Sequence, residues 1–244
     1  VRETLVITGG AGFLGSYFCD NFSKLYSVVS VDIKQNNKIS NKYIKKITCD
    51  ITNEKEVIKK LSFLKKNKKI HLINNAAIDS IPINSKGSMI KNSSMINQLI
   101  VSFEGPRIMM NLLGKLMCKN KYGSVVNIGS DLSIIAPNQN IYKGAYKNFT
   151  KSLDYSVVKH GLIGLTKYYA SLNAKYNVKV NMVSPAPILN NQNKKLVHNI
   201  KNQIPMKKLA EKEDLFNLIL FLISKKSKFI TGQNILVDGG RTII

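Results

Sequence analysis

The sequence predicts an α/β fold of the Rossmann type, with a doubly wound parallel sheet of about seven strands and helices on both faces. Short apolar, β-branched runs alternate with helical patterns along the 244 residues, which is typical of parallel sheets crossed by helices. Runs such as VVSV and SVVNI are largely apolar, as expected of strands buried on both faces. A glycine-rich turn, TGGAGFLGS at residues 8–16, follows the first run and opens the first helical pattern.

The same patterns set the individual elements. Strands are predicted at residues 4–8, 27–31, 46–48, 71–74, 124–128, 179–183 and 234–237. Helices are predicted at 14–25, 54–64, 157–176 and 213–223, with one more inside 90–119 whose limits the pattern does not set. Residues 131–153 and 186–205 lack clear periodicity, and long segments of that kind in a compact fold are usually functional or disordered. We expect one domain over residues 1–244, with insertions at these two places.

The net charge of +23 raises the question of a nucleic-acid partner. Of the 37 basic residues only three are arginines, at positions 2, 107 and 241, so 34 are lysines. The lysines are scattered, and arginine, the better residue for bidentate phosphate contacts, is nearly absent. We interpret the charge as the composition of an AT-rich genome and predict no nucleic-acid partner. A positive field would still help to gather an anionic small-molecule substrate.

The sequence carries no signal of a membrane protein. The longest apolar run, residues 218–223, is far shorter than the roughly 18 residues that a membrane helix needs, and no charged-then-apolar leader is visible. Cys19, Cys49 and Cys118 are odd in number and widely spaced, which argues against a disulfide framework and a zinc site. We expect a cytoplasmic protein with no membrane partner and no metal.

The turn at residues 8–16 has the context of a phosphate-binding loop, because it joins a strand to a helix. Gly9 suits a tight turn, Gly12 lets backbone N–H groups approach a pyrophosphate, and Gly15 lets helix and strand pack closely. Phe13 and Leu14 lie at the helix N-terminus, whose partial positive charge would face the phosphates. We expect Phe13 to pack beneath the turn. The alternative is a helix-opening turn whose glycines serve packing only.

Asp32 supports a bound dinucleotide. It ends the run SVVSVD, 20 residues after Gly12, where an acidic residue accepts hydrogen bonds from an adenosine ribose. A carboxylate there repels a 2′-phosphate, so NAD is favoured over NADP, although Lys34 nearby weakens this preference. Ile33, directly after Asp32, belongs to the same predicted cofactor site.

The stretch DYSVVKHG places Tyr155 and Lys159 four residues apart, one turn apart on the same face of a helix. Free tyrosine has a pKa of about 10, too high for ready proton transfer at neutral pH. A lysine cation and an oxidised nicotinamide would stabilise the phenolate and lower that pKa, so that Tyr155 could exchange a proton with a substrate oxygen. A surface Tyr–Lys pair is the alternative that spacing alone favours.

The chain resembles the short-chain dehydrogenase/reductase family along nearly its whole length. The matching stretches come in the family's order and near its spacing: TGGAGFLG, VDIK, CDIT, LINNAA, VVNIGS, YSVVKHGLIGLTK, VNMVSPAPI and FITGQNILVDGG. The resemblance implies that Tyr155 is the catalytic acid/base, that Lys159 lowers its pKa and binds the nicotinamide ribose, and that Ser130 hydrogen-bonds the substrate oxygen. It also implies that further residues contact the cofactor: Asp50, Ile51, Asn75, Ala76, Ala77, Pro185, Ala186 and Ile188.

Three positions depart from the family pattern. The catalytic asparagine usually stands 28 residues before the serine, and that position holds Ser102, while Asn97 lies five residues earlier. A serine hydroxyl could still hold the relay water, so Ser102 stays a candidate catalytic residue. The usual Pro-Gly is Pro185-Ala186, which adds a Cβ beside the cofactor. Residues 131–153 form an insertion that resembles the one in members assigned to polysaccharide or flagellin-glycan synthesis.

The sequence therefore predicts an NAD-dependent oxidoreductase that interconverts a secondary alcohol and a ketone, with a sugar or sugar derivative as the favoured substrate class. The resemblance implies a homodimer or homotetramer that assembles through the long helices. Two alternatives stay open. One is an epimerase or dehydratase of sugar nucleotides, although only 85 residues follow Lys159. The other is a catalytically weak NAD-binding scaffold.

Overall fold

The computed structural model describes residues 2–36, 41–79, 94–147 and 149–244. In this part of the chain, seven strands form one sheet in the order β3-β2-β1-β4-β5-β6-β7, and all neighbouring strands are parallel. The strands are β1 (Thr4–Thr8), β2 (Ser27–Asp32), β3 (Ile44–Thr48), β4 (Ile70–Asn74), β5 (Gly123–Ile128), β6 (Val178–Pro185) and β7 (Asn234–Val237). The predicted Rossmann sheet is confirmed, and each strand lies within two residues of its predicted limits.

Helices connect the strands. They are α1 (Phe13–Phe22), α2 (Glu54–Lys60), α3 (Ser94–Leu99), α4 (Gly105–Asn120), α5 (Leu153–Asn173), α6 (Lys194–Asn202) and α7 (Lys212–Ile223). A π-helical turn, Ile100–Glu104, joins α3 to α4. The helix predicted inside 90–119 thus corresponds to α3, this turn and α4, while residues 90–93 lie outside the described part.

The core has two halves, one on each face of the sheet. One half joins the strands to α2, α4 and α5, with Val57, Met109 and Tyr169 among its buried members. The other joins them to α1 and α7 and includes Phe18 and Leu215. Because the strands are covered on both sides, their side chains are apolar on both sides, which explains the runs in the sequence.

No helix is predicted within residues 186–205, which lack clear periodicity, but α6 lies within them. Asn193 caps this helix: its side chain accepts hydrogen bonds from the backbone N–H groups of Lys195 and Leu196. Leu196 and Ile200 pack with Ile141 of the other insertion in a third apolar cluster. The sequence does carry a signal for this helix, because two apolar residues with i, i+4 spacing follow an asparagine. The signal is weak because the helix buries only these two residues.

The fold brings the predicted site residues to the carboxyl end of the sheet. Parallel strands end on the same side of a sheet, and the chain leaves β1 towards β2 and β3 but continues from β4 towards β5 and β6. Ligands of such folds bind in the crevice where the strand order reverses, at the carboxyl ends of the strands. In the described part of the chain, each helix is too short or too polar to cross a membrane.

Candidate active site

A cavity of about 470 Å³ opens at the carboxyl ends of the strands. Its walls come from the glycine-rich turn, the segments after β4, β5 and β6, the start of α5, and both insertions. Predicted site residues that line it are Phe13, Leu14, Asn75, Ala77, Ser130, Tyr155, Lys159, Pro185, Ala186 and Ile188. The structure therefore brings three of the four predicted catalytic residues, Ser130, Tyr155 and Lys159, together with about half of the predicted cofactor set.

The glycine-rich turn is built as expected at two positions. Gly9 has a positive φ of 64°, which favours glycine. A Cβ on Gly15 would lie 1.9 Å from the carbonyl oxygen of Gly9, so only glycine allows the turn and α1 to approach this closely. Gly12 is exposed, and no side chain caps α1 at this residue. The N–H groups of the first turn of α1 are thus available to an anionic ligand, which fits a pyrophosphate.

The expectation that Phe13 packs beneath this turn is wrong. Its side chain is 36% exposed and lines the cavity. The ammonium of Lys212 lies 4.1 Å from the centroid of its ring. The space beneath the turn is filled by the backbone of residues 9 and 10 against Gly15, so no room is left for a phenyl ring.

Asn75, after β4, braces the turn from the side. Its side-chain amide donates to the carbonyl oxygens of Thr8 and Gly9, both at 3.1 Å. The hydroxyl of Thr8 accepts from the backbone N–H groups of Asn75 and Ala76, at 3.0 and 3.1 Å. The two segments that would flank a cofactor are therefore held to each other by four hydrogen bonds.

Asp32 is oriented by the backbone around it. One carboxylate oxygen accepts from the N–H of Ala11 at 3.0 Å and the other from the N–H of Lys34 at 3.1 Å. Each oxygen keeps lone pairs for a further donor, such as a ribose hydroxyl. Ile33, which follows, is 64% exposed beside the carboxylate.

Asp50 and Ile51 lie at the end of β3. Asp50 accepts from the backbone N–H and the hydroxyl of Thr52. Ile51 is buried, and a Cβ on Gly105 would lie 2.6 Å from its side chain, so it packs beneath the start of α4. Neither residue lines the cavity, and their predicted place beside an adenine stays a prediction.

Ser130, Tyr155 and Lys159 meet at the floor of the cavity. The hydroxyl of Ser130 is close enough to the phenol of Tyr155 for its hydrogen bonding to lower the pKa of that phenol. Lys159 is only 4% exposed, and its ammonium donates to the carbonyl oxygen of Ile128 at 2.9 Å. The Lys159 nitrogen lies 5.5 Å from the centroid of the Tyr155 ring.

Burial and neighbouring charges shift both titratable groups. Burial raises the pKa of Tyr155 above its usual value, as does the charge of Asp79, while the hydrogen bond from Ser130 lowers it. Burial lowers the pKa of Lys159 to about 8; the charge of Lys151 acts in the same direction and that of Asp79 against it. The charge of Asp79 therefore acts on both groups and that of Lys151 on Lys159, and the sequence singled out neither charge.

Lys151 belongs to the first insertion and is 9% exposed. Its ammonium lies 4.1 Å from the centroid of the Tyr155 ring and is ion-paired with Asp79. The side chain of Gln139 fixes its backbone by accepting from the Lys151 N–H and donating to its carbonyl oxygen. The insertion thus delivers a second lysine to the ring of the predicted catalytic tyrosine.

Asp131 and Arg241 form a second ion pair in the cavity wall, and both are almost completely buried. Asp131 accepts from the hydroxyl of Ser130 at 2.9 Å and from the N–H of Leu132 at 2.8 Å. Arg241 also donates to the side chain of Gln203. Local spacing does not single out Asp79, Lys151, Asp131 or Arg241, because the partners of the two ion pairs are 72 and 110 residues apart along the chain.

Ser102 lies in the π-helical turn between α3 and α4 and is buried. Its hydroxyl accepts from the backbone N–H of Ile78 at 3.1 Å. Single π-helical turns inside α-helices are frequent at functional sites. Asn97, by contrast, is exposed. Ser102 is not among the cavity-lining residues, so its role in catalysis stays a prediction.

Ala186 shows why this chain accepts a Cβ after Pro185. Its side chain is buried in the third cluster, against residues of both insertions. Its N–H donates to the carbonyl oxygen of Val237, and Ile188 pairs with Ala210 in a short bridge. The methyl group therefore packs on the insertions.

Among the described residues, no group of three His, Cys, Asp or Glu side chains could hold a metal ion.

A family model described as Enoyl-(Acyl carrier protein) reductase matches residues 27–242. The chain belongs to the short-chain dehydrogenase/reductase family. The 3-oxoacyl-[acyl-carrier-protein] reductase of Buchnera aphidicola (subspecies Baizongia pistaciae) is 32% identical over 98% of this chain and 97% of its own. The Post-translational flagellin modification protein A of Campylobacter coli is 32% identical, over 52% of this chain and 48% of its own.

Solved structures give the same assignment. A short chain dehydrogenase from Leptospira borgpetersenii with bound NAD+ has a TM-score of 0.85 and 25% identity, over 99% of this chain and 93% of its own. ElxO with bound NADP has a TM-score of 0.83 and 25% identity over the whole of both chains. The protein is accordingly an oxidoreductase of this family, acting on CH–OH or keto groups.

Proposed function

We propose that the protein interconverts a secondary alcohol and a ketone on a polar small molecule, with NAD(H) as the cofactor. The observation that carries this proposal is the convergence of Ser130, Tyr155 and Lys159 in a cavity that reaches the glycine-rich turn. When bound there, the nicotinamide supplies the hydride. The turn, Asn75 and Pro185 would hold the cofactor so that its nicotinamide lies beside the tyrosine.

The roles of the three side chains follow from their contacts. In the reducing direction, Tyr155 gives its phenolic proton to the substrate oxygen, and in the oxidising direction it takes that proton back. Lys159, fixed by the Ile128 carbonyl, stabilises the phenolate that forms. Ser130 contacts the phenol and orients the same substrate oxygen.

NAD is the preferred cofactor in this proposal because of Asp32. Its carboxylate, fixed by the N–H groups of Ala11 and Lys34, offers acceptors to the ribose hydroxyls. A 2′-phosphate at this place would bring negative charge against it. The NAD+ bound to the Leptospira dehydrogenase supports this choice, although ElxO binds NADP.

The substrate class we favour is a sugar or sugar derivative. Tyr142 and Tyr146 line the cavity and pack on Phe149, with ring centroids 4.7 and 6.0 Å apart, so they offer aromatic surface as well as hydroxyl groups. The wall also carries the polar side chains of Asn190, Asn191 and Gln192. The similarity to the Campylobacter flagellin modification protein supports a role in glycan synthesis.

A 3-oxoacyl substrate is the second candidate. The whole-length similarity to the Buchnera 3-oxoacyl reductase favours it. Ser130, Tyr155 and Lys159 would surround the β-keto group of such a substrate in the same way. The two candidates therefore differ only in the part of the substrate that the insertions contact. Turnover of a β-keto thioester but of no keto-sugar would favour this second candidate.

We also propose assembly into a homodimer or homotetramer through α5. The helix exposes Leu153, Tyr168 and Leu172 at 69, 63 and 50%. In the described part of the chain, no atom beyond the backbone of α5 lies within 4 Å of where a Cβ on Gly164 would be, so a second helix could approach there. Tyr168→Glu should shift the mass measured by light scattering towards the monomer, and an unchanged mass would contradict this interface.

Absorbance at 340 nm tests the proposed activity. Keto-sugars, sugar nucleotides and a β-keto thioester are offered with NADH and, separately, with NADPH. We expect one class to give stoichiometric oxidation of the cofactor, faster with NADH. Turnover of a sugar nucleotide with catalytic rather than stoichiometric NAD would instead indicate an epimerase. NADH binding without turnover of any probe would indicate a scaffold.

A further inference from the structure

The hydroxyl of Ser130 has little freedom in this site. The Ser130 hydroxyl forms a hydrogen bond with Oδ1 of Asp131, at 2.9 Å, and accepts a second one from the N–H of Leu132, at 3.2 Å. A serine hydroxyl has one proton and two lone pairs. The contacts of Asp131 therefore decide where the single proton of Ser130 points.

Among the described residues, only donors form hydrogen bonds with Asp131. Arg241 donates to Oδ2, while Leu132 N–H and the Ser130 hydroxyl face Oδ1. Arginine is never an acceptor, and a backbone N–H can only donate. An ionised carboxylate satisfies all three contacts, so the Ser130 proton points to Asp131. The residue is 1% exposed, which means that water does not compete for these contacts.

Arg241 is held in place by the turn after β7. Asp238 accepts from the N–H of Gly240 and from the N–H and hydroxyl of Thr242. This fixes the 3-10 turn Arg241–Ile243, with the guanidinium between Asp131 and Gln203. A buried ion pair costs desolvation energy, and replacing one by apolar groups is often neutral for stability. Stability alone therefore gives a weak reason for this pair.

We propose that Asp131, with its charge balanced by Arg241, is a positioning residue that holds the proton of Ser130 and releases it to the oxyanion of the reaction. The inference rests on the proposed role of Tyr155 as acid/base. With its proton directed at Asp131, the Ser130 hydroxyl does not donate to the phenol, which keeps its own proton. When the phenolate or a substrate alkoxide forms, the proton rotates to that oxygen, and Arg241 makes Asp131 a weaker competitor for it.

The proposal predicts how the tyrosine responds to Asp131→Asn. Because Arg241 only donates, the new amide oxygen would accept from it, and the amide N–H group would face the Ser130 oxygen. The N–H of Leu132 would then keep only its hydrogen bond to Ser130. The Ser130 proton is then free to reach the phenolate. The pKa of residue 155 should fall by about one, since a hydrogen bond to a charged group is worth a factor of roughly ten or more.

A titration that needs no turnover tests this. A fluorinated tyrosine, whose phenol is more acidic, is placed at position 155 and titrated by ¹⁹F NMR in the full-length protein. The titration is made with and without Asp131→Asn, each in the parent and in a Ser130→Ala background. Asp79→Asn is the matched control, because Asp79 also faces Tyr155 but has no hydrogen bond to Ser130 among those of the described residues.

We expect Asp131→Asn to lower the pKa of residue 155 in the parent and to lose most of that effect with Ser130→Ala. The effect of Asp79→Asn should be the same in both backgrounds. An Asp131→Asn effect that survives Ser130→Ala undiminished would show a charge effect through space and overturn the proposal. A failure of the protein to turn over any substrate would overturn the proposed function alone.

A second variant guards against misfolding of the first. Asp131→Ala with Arg241→Met removes both charges, so the net charge of the site is unchanged while Ser130 loses its acceptor. The pKa of residue 155 should again fall, and only when Ser130 is present. An unchanged pKa would contradict the proposal, because a purely structural ion pair predicts no effect on the tyrosine.

Discussion

Lys151 lies over the ring of Tyr155, with its ammonium 4.1 Å from the ring centroid, and its charge is paired with Asp79. The insertion that supplies Lys151 therefore does more than enclose a substrate. It places Lys151, paired with Asp79 from the segment after β4, beside the tyrosine that is proposed to carry the proton. Removing either partner leaves the other charge unbalanced next to that phenol.

The two partners should shift the pH profile of alcohol oxidation in opposite directions. Oxidation needs the phenolate, so its rate rises as pH passes the pKa of Tyr155. Lys151→Met leaves Asp79 unpaired, raises that pKa and moves the profile to higher pH; Asp79→Asn moves it to lower pH. Lys147→Met, an exposed lysine of the same insertion, is the matched control. Shifts of the same sign in the two variants would contradict this electrostatic role.

Asp32 should decide the cofactor. Asp32→Asn replaces one acceptor by a donor and removes the charge, so the Kd for NADH should rise about tenfold, which corresponds to roughly 1.4 kcal/mol. The discrimination against NADPH should fall at the same time. Nucleotide fluorescence measures both constants, and Asp20→Asn, at an exposed position of α1, controls for the change in net charge. Unchanged discrimination would place the ribose elsewhere.

Substitutions at two glycines of the turn should have different effects, one on the stability of the fold and the other on NADH binding. Gly15→Ala places a Cβ 1.9 Å from the Gly9 carbonyl oxygen and should lower the free energy of unfolding by about 1–3 kcal/mol. Gly12→Ala has only that oxygen, at 3.3 Å, within reach and should stay folded while NADH binding weakens. Urea denaturation and NADH titration check the two effects. A stable Gly12→Ala variant with unchanged NADH affinity would show that Gly12 does not approach the pyrophosphate.

Glu3, at the amino end of the sheet, should make the stability of the fold depend on pH in the acid range. The carboxylate of Glu3 contacts His71, Tyr122 and Lys69. These contacts lower the pKa of Glu3 to about 2, and the hydrogen bond from His71 is the largest cause. A carboxyl with a lowered pKa stabilises the fold above its ordinary value of 4.5, and this stabilisation is lost as pH falls towards 2. Glu3→Gln should cost about 2 kcal/mol at neutral pH and progressively less below pH 4.5. Urea denaturation across this range checks it, and a cost that does not depend on pH would contradict the assignment.

The sheet was predictable because its strands are buried on both faces and so read as apolar runs. The turn at residues 8–16, Asp32 and the Tyr155–Lys159 pair were predictable because each is local in sequence. Helix α6 was missed because its stability comes from a cap and two buried side chains that pack on the other insertion. Phe13 was misplaced because the close contact of Gly15 with Gly9 leaves no space beneath the turn.

The charges around Tyr155 were not predictable in the same way. Asp79 and Lys151 meet across 72 residues, and Asp131 and Arg241 across 110, so no local spacing links them. Only the folded sheet, which gathers the carboxyl ends of its strands, brings these groups together. The likeness to the family did not indicate them either, because Lys151 lies in the insertion by which this chain departs from the family pattern.

The central claim is that Tyr155 carries the proton to and from the substrate, and Tyr155→Phe tests it most directly. We expect kcat to fall by about 10²- to 10⁴-fold, the usual contribution of a general acid/base. The Kd for NADH, measured by fluorescence on the same preparation, should stay at the wild-type value, because the phenol is not needed to hold the cofactor. A variant that binds NADH normally and turns over near the wild-type rate would contradict the account.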